Sequence, residues 1–209
     1  MIKILNVIYR AARSIRLRFW NWLTTKYTYF LMKINLIELG TGFYSKGIPK
    51  IILHCNGKLK IENSFKINNT IVSNPIGRNH KCLFRVKENA LLKIGNNVGM
   101  SGTTIVCHKE IVISDNVKIG GNTCIYDTDF HSLDANNRIQ KELDIKNTKK
   151  KKVFIGENVF IGAHVTILKG VSIGKDSIIG ACSVVSKNVP ENEIWAGNPA
   201  KCIGKINEN

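Results

Sequence analysis

A six-residue period runs through the C-terminal part of the chain and limits what it can fold into. From residue 155 the blocks IGENVF, IGAHVT, ILKGVS, IGKDSI, IGACSV and VSKNVP follow one another without a break. The first position holds Ile155, Ile161, Ile167, Ile173, Ile179 and Val185, and the fifth holds Val159, Val165, Val171, Ser177, Ser183 and Val189. An α-helix turns by about 100° per residue, so a period of six carries the repeats around its surface and leaves no apolar face. Short strands that turn a corner every six residues keep both positions inside, because one and five differ by an even number across the pleat. Glycine fills the second position in four of the six blocks and is expected to relieve the corner through its freedom in φ. Three sides close one coil, and stacked coils align like positions into internal ladders, a one-dimensional solenoid.

The pattern extends upstream. Ile113, Ile119 and Ile125 open ISDNVK, IGGNTC and IYDTDF, while Ile94, Met100 and Val106 open IGNNVG, MSGTTI and VCHKEI, one residue out of register. A bulged corner near 107–112 is expected to absorb that slip. Before residue 90 only Ile61 and Ile67 fit, so 50–93 reads as irregular early coils. The polar stretch YDTDFHSLDANNRIQKELDIKNTKKKK, residues 126–152, interrupts the period. Insertions that project from a regular scaffold are where binding and catalysis concentrate. The expected fold is all-β, a parallel β-helix over 50–206 with an insertion loop at 126–152, preceded by a short helical extension at 1–49.

Within that extension Ile4, Leu5, Ile8, Ala12, Ile15, Phe19, Trp22 and Leu23 recur at helical spacing, interleaved with Arg10, Arg13, Arg16 and Arg18. Such a segment suits a membrane interface, or packs against the end of its own domain. The charge supports an anionic partner: residues 1–60 carry eleven Lys/Arg against one acid, Glu38, whereas 153–209 balance at five each. No run of about 18 apolar residues exists, which argues against a spanning helix. The N-terminus lacks the pattern of a signal peptide, so the expected location is the cytoplasm, peripherally on the inner membrane face if residues 1–30 bind lipid. Six cysteines without a Cys-x-x-Cys pair read as reduced thiols. Net charge alone does not make a nucleic-acid protein, and no recognition motif supports one.

The ordered repeats, the His-bearing loop DTDFHSLD and the ending VVSKNVPENEIWAGNPAKCIGKI together resemble the hexapeptide-repeat acyltransferases, in particular the maltose/galactoside O-acetyltransferase branch and the capsular and O-antigen sugar acetyltransferases. The match covers about residues 94–206. The resemblance implies a left-handed coil, a homotrimer with active sites between subunits, and acetyl-coenzyme A as donor. It also implies that His131 is the general base, for which a neutral imidazole is suited near pH 7, in a direct ternary-complex transfer to a sugar or lipid-linked sugar hydroxyl. Asp129 is the chosen partner for the ring's other nitrogen, with Asp127 and Asp134 nearby.

The resemblance places Gly162, Ala163 and Ala181 along the pantetheine arm, Ser186 and Lys187 near the cofactor, and Lys201 at its phosphates. Gly204 stands where the family has a second basic residue, a place that Lys205 can fill. Ser101, Thr103 and Asp127 are assigned to the acceptor side, although the family carries asparagines where Ser101 and Thr103 stand. His164 reads as an outer-surface residue or as a wall of the cofactor groove, and the run Lys149–Lys152 as a solvated hinge or a steering charge. No metal is expected. The competing functions are sugar N-acetylation, a zinc enzyme of the γ-carbonic anhydrase kind, which needs three converging histidines, and a non-catalytic scaffold.

Overall fold

The computed structural model describes residues 1–76 and 80–206. Its strands form three stacked walls. The first wall holds Glu38–Leu39, Lys58–Ile61, Leu91–Ile94, Glu110–Ile113, Val153–Ile155 and Ser172–Ile173. The second begins with Tyr44–Lys46 and ends in the antiparallel pair Glu193–Gly197 and Ala200–Lys205. The third runs from Lys50–Leu53 to Val184–Val185. The chain visits first, second and third wall in turn, and each circuit is one coil of a triangular prism. Among the described residues the first and third walls have six strands each, which gives six complete coils.

The ladders are those the hexads call for. Ile94, Ile113, Ile155 and Ile173 pair on the first wall, Met100, Ile119, Ile161 and Ile179 on the second, and Ile105, Ile125, Ile167 and Val185 on the third. All are buried, as are the fifth-position residues from Val159 to Val189. Burying each such aliphatic side chain contributes about 1.5–3 kcal/mol.

Three expectations change. First, the second-position glycines do not use positive φ; the left-handed residues sit at the fourth position, at Asn97, Asn116, Asn158, His164, Asp176 and Cys182. Asn and Asp tolerate that conformation best. The glycines are required by close approach of the next coil: a Cβ on Gly162 would lie 2.6 Å from the backbone nitrogen of Ala181. Second, the register slip has two parts. Ile105, not Val106, stands in the third-wall ladder, so the corner after Met100 is one residue short and turns through Gly102 at φ +49°. The following corner, 107–110, is the expected bulge: it is two residues longer than a hexad corner, which leaves the net slip of one between Ile94 and Ile113. Third, the early coils are regular. Leu59, Ile61, Phe65, Ile67, Phe84 and Val86 point inward, and the hexad signal fades there because residues 69–82 separate the strands Lys66–Asn68 and Leu83–Val86 in sequence. The first coil starts at Glu38, inside the stretch read as extension.

Helix α1 spans Ile2–Ile34. Its C-terminal third docks on the first coil: Thr24 and Thr28 are buried with Met32, and the Thr24 and Thr25 hydroxyls each donate to the Ser45 carbonyl at 3.0 Å. At about 100° per residue, the docked row Thr24–Thr28–Met32 lies opposite the row of Ile4, Ile8, Ile15, Phe19 and Trp22. That apolar row is more than half exposed throughout. The helix therefore packs on its own domain through its threonines and turns its apolar stripe outward.

Candidate active site

The insertion leaves the edge between third and first walls on a fixed neck. Asp127, fully buried, accepts the backbone N–H groups of His108, Lys109 and Glu110 at 2.7, 2.7 and 2.8 Å. Thr128 and Lys150 form an antiparallel bridge above it. Beyond the neck lie two short helices, α2 (Ala135–Arg138) and α3 (Lys141–Asn147). The Asp134 carboxylate caps α2, accepting the Asn136 N–H at 2.9 Å.

Helix α3 brings Asp144 to the histidine. Asp144 Oδ2 is 2.7 Å from His131 Nδ1, and its Oδ1 accepts the Ser132 N–H at 2.6 Å. Arg138 donates to the Ser132 carbonyl at 2.8 Å, which fixes the same turn. The bond from His131, then that from Ser132, holds the Asp144 carboxyl below the ordinary carboxylate range. An ionised Asp144 places the proton of a neutral His131 ring on Nδ1 and leaves the Nε2 lone pair free. The His131 side chain is 70% exposed and lines a cavity of about 520 Å³ with His54, Arg85, Lys87, His108 and Lys150.

Asp129 is not the partner of His131: it pairs with Lys169 at 2.6 Å, turned back toward the prism. Asp127 is sealed in the neck and is not available to an acceptor. Ser101 and Thr103 sit on the opposite edge, between second and third walls, where Ser101 accepts from Asn68 at 2.9 Å and Thr103 is buried. Gly162, Ala163 and Ala181 share that edge in successive coils. His164 lies between them, its Nδ1 2.9 Å from Asn122 Nδ2. Ser186 and Lys187 are exposed on the corner after Val184–Val185, and Lys201 is exposed on the terminal hairpin. Within one chain, then, His131 stands on one edge of the prism and the small-residue stripe on another.

Reading the sequence missed Asp144, and with it His54, Arg85 and Lys87. Asp144 lies thirteen residues from His131 with only a short helix to announce it. The other three become legible from coil register: Leu53, Val86 and Cys107 pair across the third wall, so His54, Lys87 and His108 form a column just past its edge.

Residues 152–187 match the bacterial transferase hexapeptide family, six repeats. No curated protein sequence matches the chain. Among solved structures, an N-acyltransferase from Bacillus cereus bound to dTDP and coenzyme A is similar over 85% of this chain and 88% of its own, at 24% identity and a TM-score of 0.66. A hexapeptide-repeat acetyltransferase from Vibrio cholerae complexed with acetyl coenzyme A is similar over 86% and 76%, at 24% identity and 0.54. These two speak to the fold, the left-handed parallel β-helix. A galactoside acetyltransferase in complex with coenzyme A is 37% identical over 56% of either chain, with a TM-score of 0.50.

His108 carries the pH behaviour of this edge. Burial first, then the charges of Lys150, Lys87 and Arg85, push it down from 6.5 to about 4, against the pull of Asp127. A histidine held neutral in the fold contributes stability that is complete above its unfolded pKa and is lost as pH falls toward the folded value. Urea unfolding should therefore show stability declining from about pH 6.5 to about pH 4, with a shallower decline in His108→Gln. An unchanged slope in that variant would remove His108 from the account.

Proposed function

We propose that this chain is a hexapeptide-repeat acyltransferase that transfers the acetyl group of acetyl-CoA to a hydroxyl of a sugar or polysaccharide precursor, with His131 as general base. The observation that carries this reading is the His131–Asp144 pair, held on a rigid neck over an open cavity. Nε2 takes the proton of the acceptor hydroxyl as its oxygen bonds to the acetyl carbon. Asp144 stabilises the imidazolium so formed and keeps the ring in one orientation. The proton then passes from Nε2 to the sulfur as the carbon–sulfur bond breaks, which returns the ring to neutrality and releases the free thiol. No covalent enzyme intermediate is needed, because the thioester is already activated.

The donor groove is assigned to the stripe of Gly162, Ala163 and Ala181, whose small side chains let an extended arm approach the backbone. Ser186, Lys187 and Lys201 are the polar groups assigned to the rest of the coenzyme. Since stripe and base occupy different edges of one prism, the complete site requires a second copy whose stripe faces the base of the first. A homotrimer provides that contact three times over by rotation. The galactoside acetyltransferase bound to coenzyme A supports both the donor assignment and a sugar acceptor.

Helix α1 is assigned to the surface of an anionic membrane, where lipid-linked precursors reside. Its outward stripe of Ile4, Ile8, Ile15, Phe19 and Trp22 supplies the apolar contact. Arg16 and Arg18 flank that stripe, and no acid precedes Glu38. No helix among the described residues is long and apolar enough to cross a membrane, so the contact proposed is interfacial.

Two measurements test this reading. In an acetyl-CoA assay over hydroxyl and amino sugars, His131→Ala should lower kcat by about 10²–10⁴-fold. Asp144→Asn, which touches no substrate, should lower it by about 10–100-fold with little change in KM. A His131→Ala rate close to wild type, or transfer to amino groups alone, would contradict the proposal. In flotation, the full chain should rise with vesicles of phosphatidylcholine and phosphatidylglycerol, and a chain lacking residues 1–23 should stay behind. Equal recovery of both chains would end the membrane assignment.

A further inference from the structure

The cavity beside His131 is more basic than a neutral sugar requires. His54, Lys87 and His108 stack on successive corners of one edge, and Arg85 faces outward from the strand just before Lys87. Lys150 closes the cavity from the neck of the insertion. Among the described residues the only acid lining it is Glu88, and none of Arg85, Lys87 and Lys150 makes an ion pair. Three nitrogens of the lining residues are shielded from solvent without a hydrogen-bond partner: His54 Nε2, Arg85 Nε and His108 Nε2. Buried polar atoms are nearly always paired in folded proteins, and three such orphans around one cavity mark a place where a ligand's acceptors complete the set. The charges of Lys150, Lys87 and Arg85 also reach His108, adding to the effect of its burial and opposed by Asp127.

We propose that this cavity holds an anionic group of the acceptor, a carboxylate or a phosphate on the sugar, with the target hydroxyl presented to His131. Arg85 and Lys87 supply the charge, and the orphaned nitrogens supply donors once the histidines are protonated or suitably tautomeric. An anion seated there also draws a proton onto His108 by offsetting its neighbours. The inference names the substrate class of the site assigned above and rests on His131 as its base. The anion preference is a property of binding, so it is measurable without turnover.

The test is titration calorimetry on the full chain with galacturonic acid, galactose 1-phosphate and galactose. At least one charged sugar should bind about tenfold or more tightly than galactose, and the two charged arms tell carboxylate from phosphate. The preference should shrink with added salt and collapse in Arg85→Gln. Lys87→Gln serves in the same role if the first variant melts early. Galactose binding as well as both anions, or an undiminished preference in folded Arg85→Gln and Lys87→Gln, overturns the proposal. Acetyl transfer to galactose that depends on His131 but gains nothing from a charged group would sink this inference and leave the reaction standing. Tight anion binding in a protein whose His131→Ala variant still transfers acetyl would do the reverse.

Discussion

Successive coils in this protein lie one strand spacing apart, about 4.8 Å, and most of its structure answers to that separation. Parallel pairing sets it, and aliphatic ladders such as Ile113–Ile155–Ile173 and Ile119–Ile161–Ile179 fill the interior at that interval. Where glycine follows the ladder residue, the corner has no room for a side chain. A Cβ on Gly120, Gly156, Gly162 or Gly174 would come within 3 Å of the backbone of the next coil. The turn itself is made two residues later by a left-handed Asn, Asp, His or Cys. Composition at the corners thus records crowding at one position and backbone conformation at another.

A prism with narrow, repeating corners has few places to keep chemistry, and this chain gathers it on one edge. The edge between second and third walls carries the small residues Gly162, Ala163 and Ala181, with His164 among them. The edge between third and first walls carries His54, Lys87, His108 and the insertion. The buried Asp127 carboxylate joins the two levels of that edge, since it closes the corner of 107–110 while forming the foot of the insertion. The orientation of His131 therefore depends on a solenoid corner beneath it and on Asp144 beside it. Helix α1 follows a similar economy: Thr24, Thr25, Thr28 and Met32 seat it, and the remainder is left with its apolar side outward.

The hexads made the fold legible because each one repeats the same burial decision, and no helix period imitates a six-residue spacing. His131 was legible because it sits in the one long polar interruption. What stayed hidden depended on geometry between distant residues. Asp129 is nearer than Asp144 in sequence, yet the backbone at Phe130 is left-handed and Asp129 ends on Lys169. The pairing of Asp144 needed the path of two helices, which no local pattern specifies. The basic column of His54, Lys87 and His108 was obscured by the short corner at Gly102, which shifts the hexad count by one just before His108. Asp127 looked like a loop acid available to substrate, but three backbone donors had already claimed it.

The central claim is that base and donor groove of one active site come from two copies of the chain. The most direct measurement mixes two inactive variants, His131→Ala and Ala181→Arg, under conditions that exchange subunits, and assays acetyl transfer. Each variant carries the half that the other lacks, so the account predicts activity in the mixture from two preparations that have none alone. A mixed oligomer as inactive as its parents would place the whole site within a single chain and contradict it.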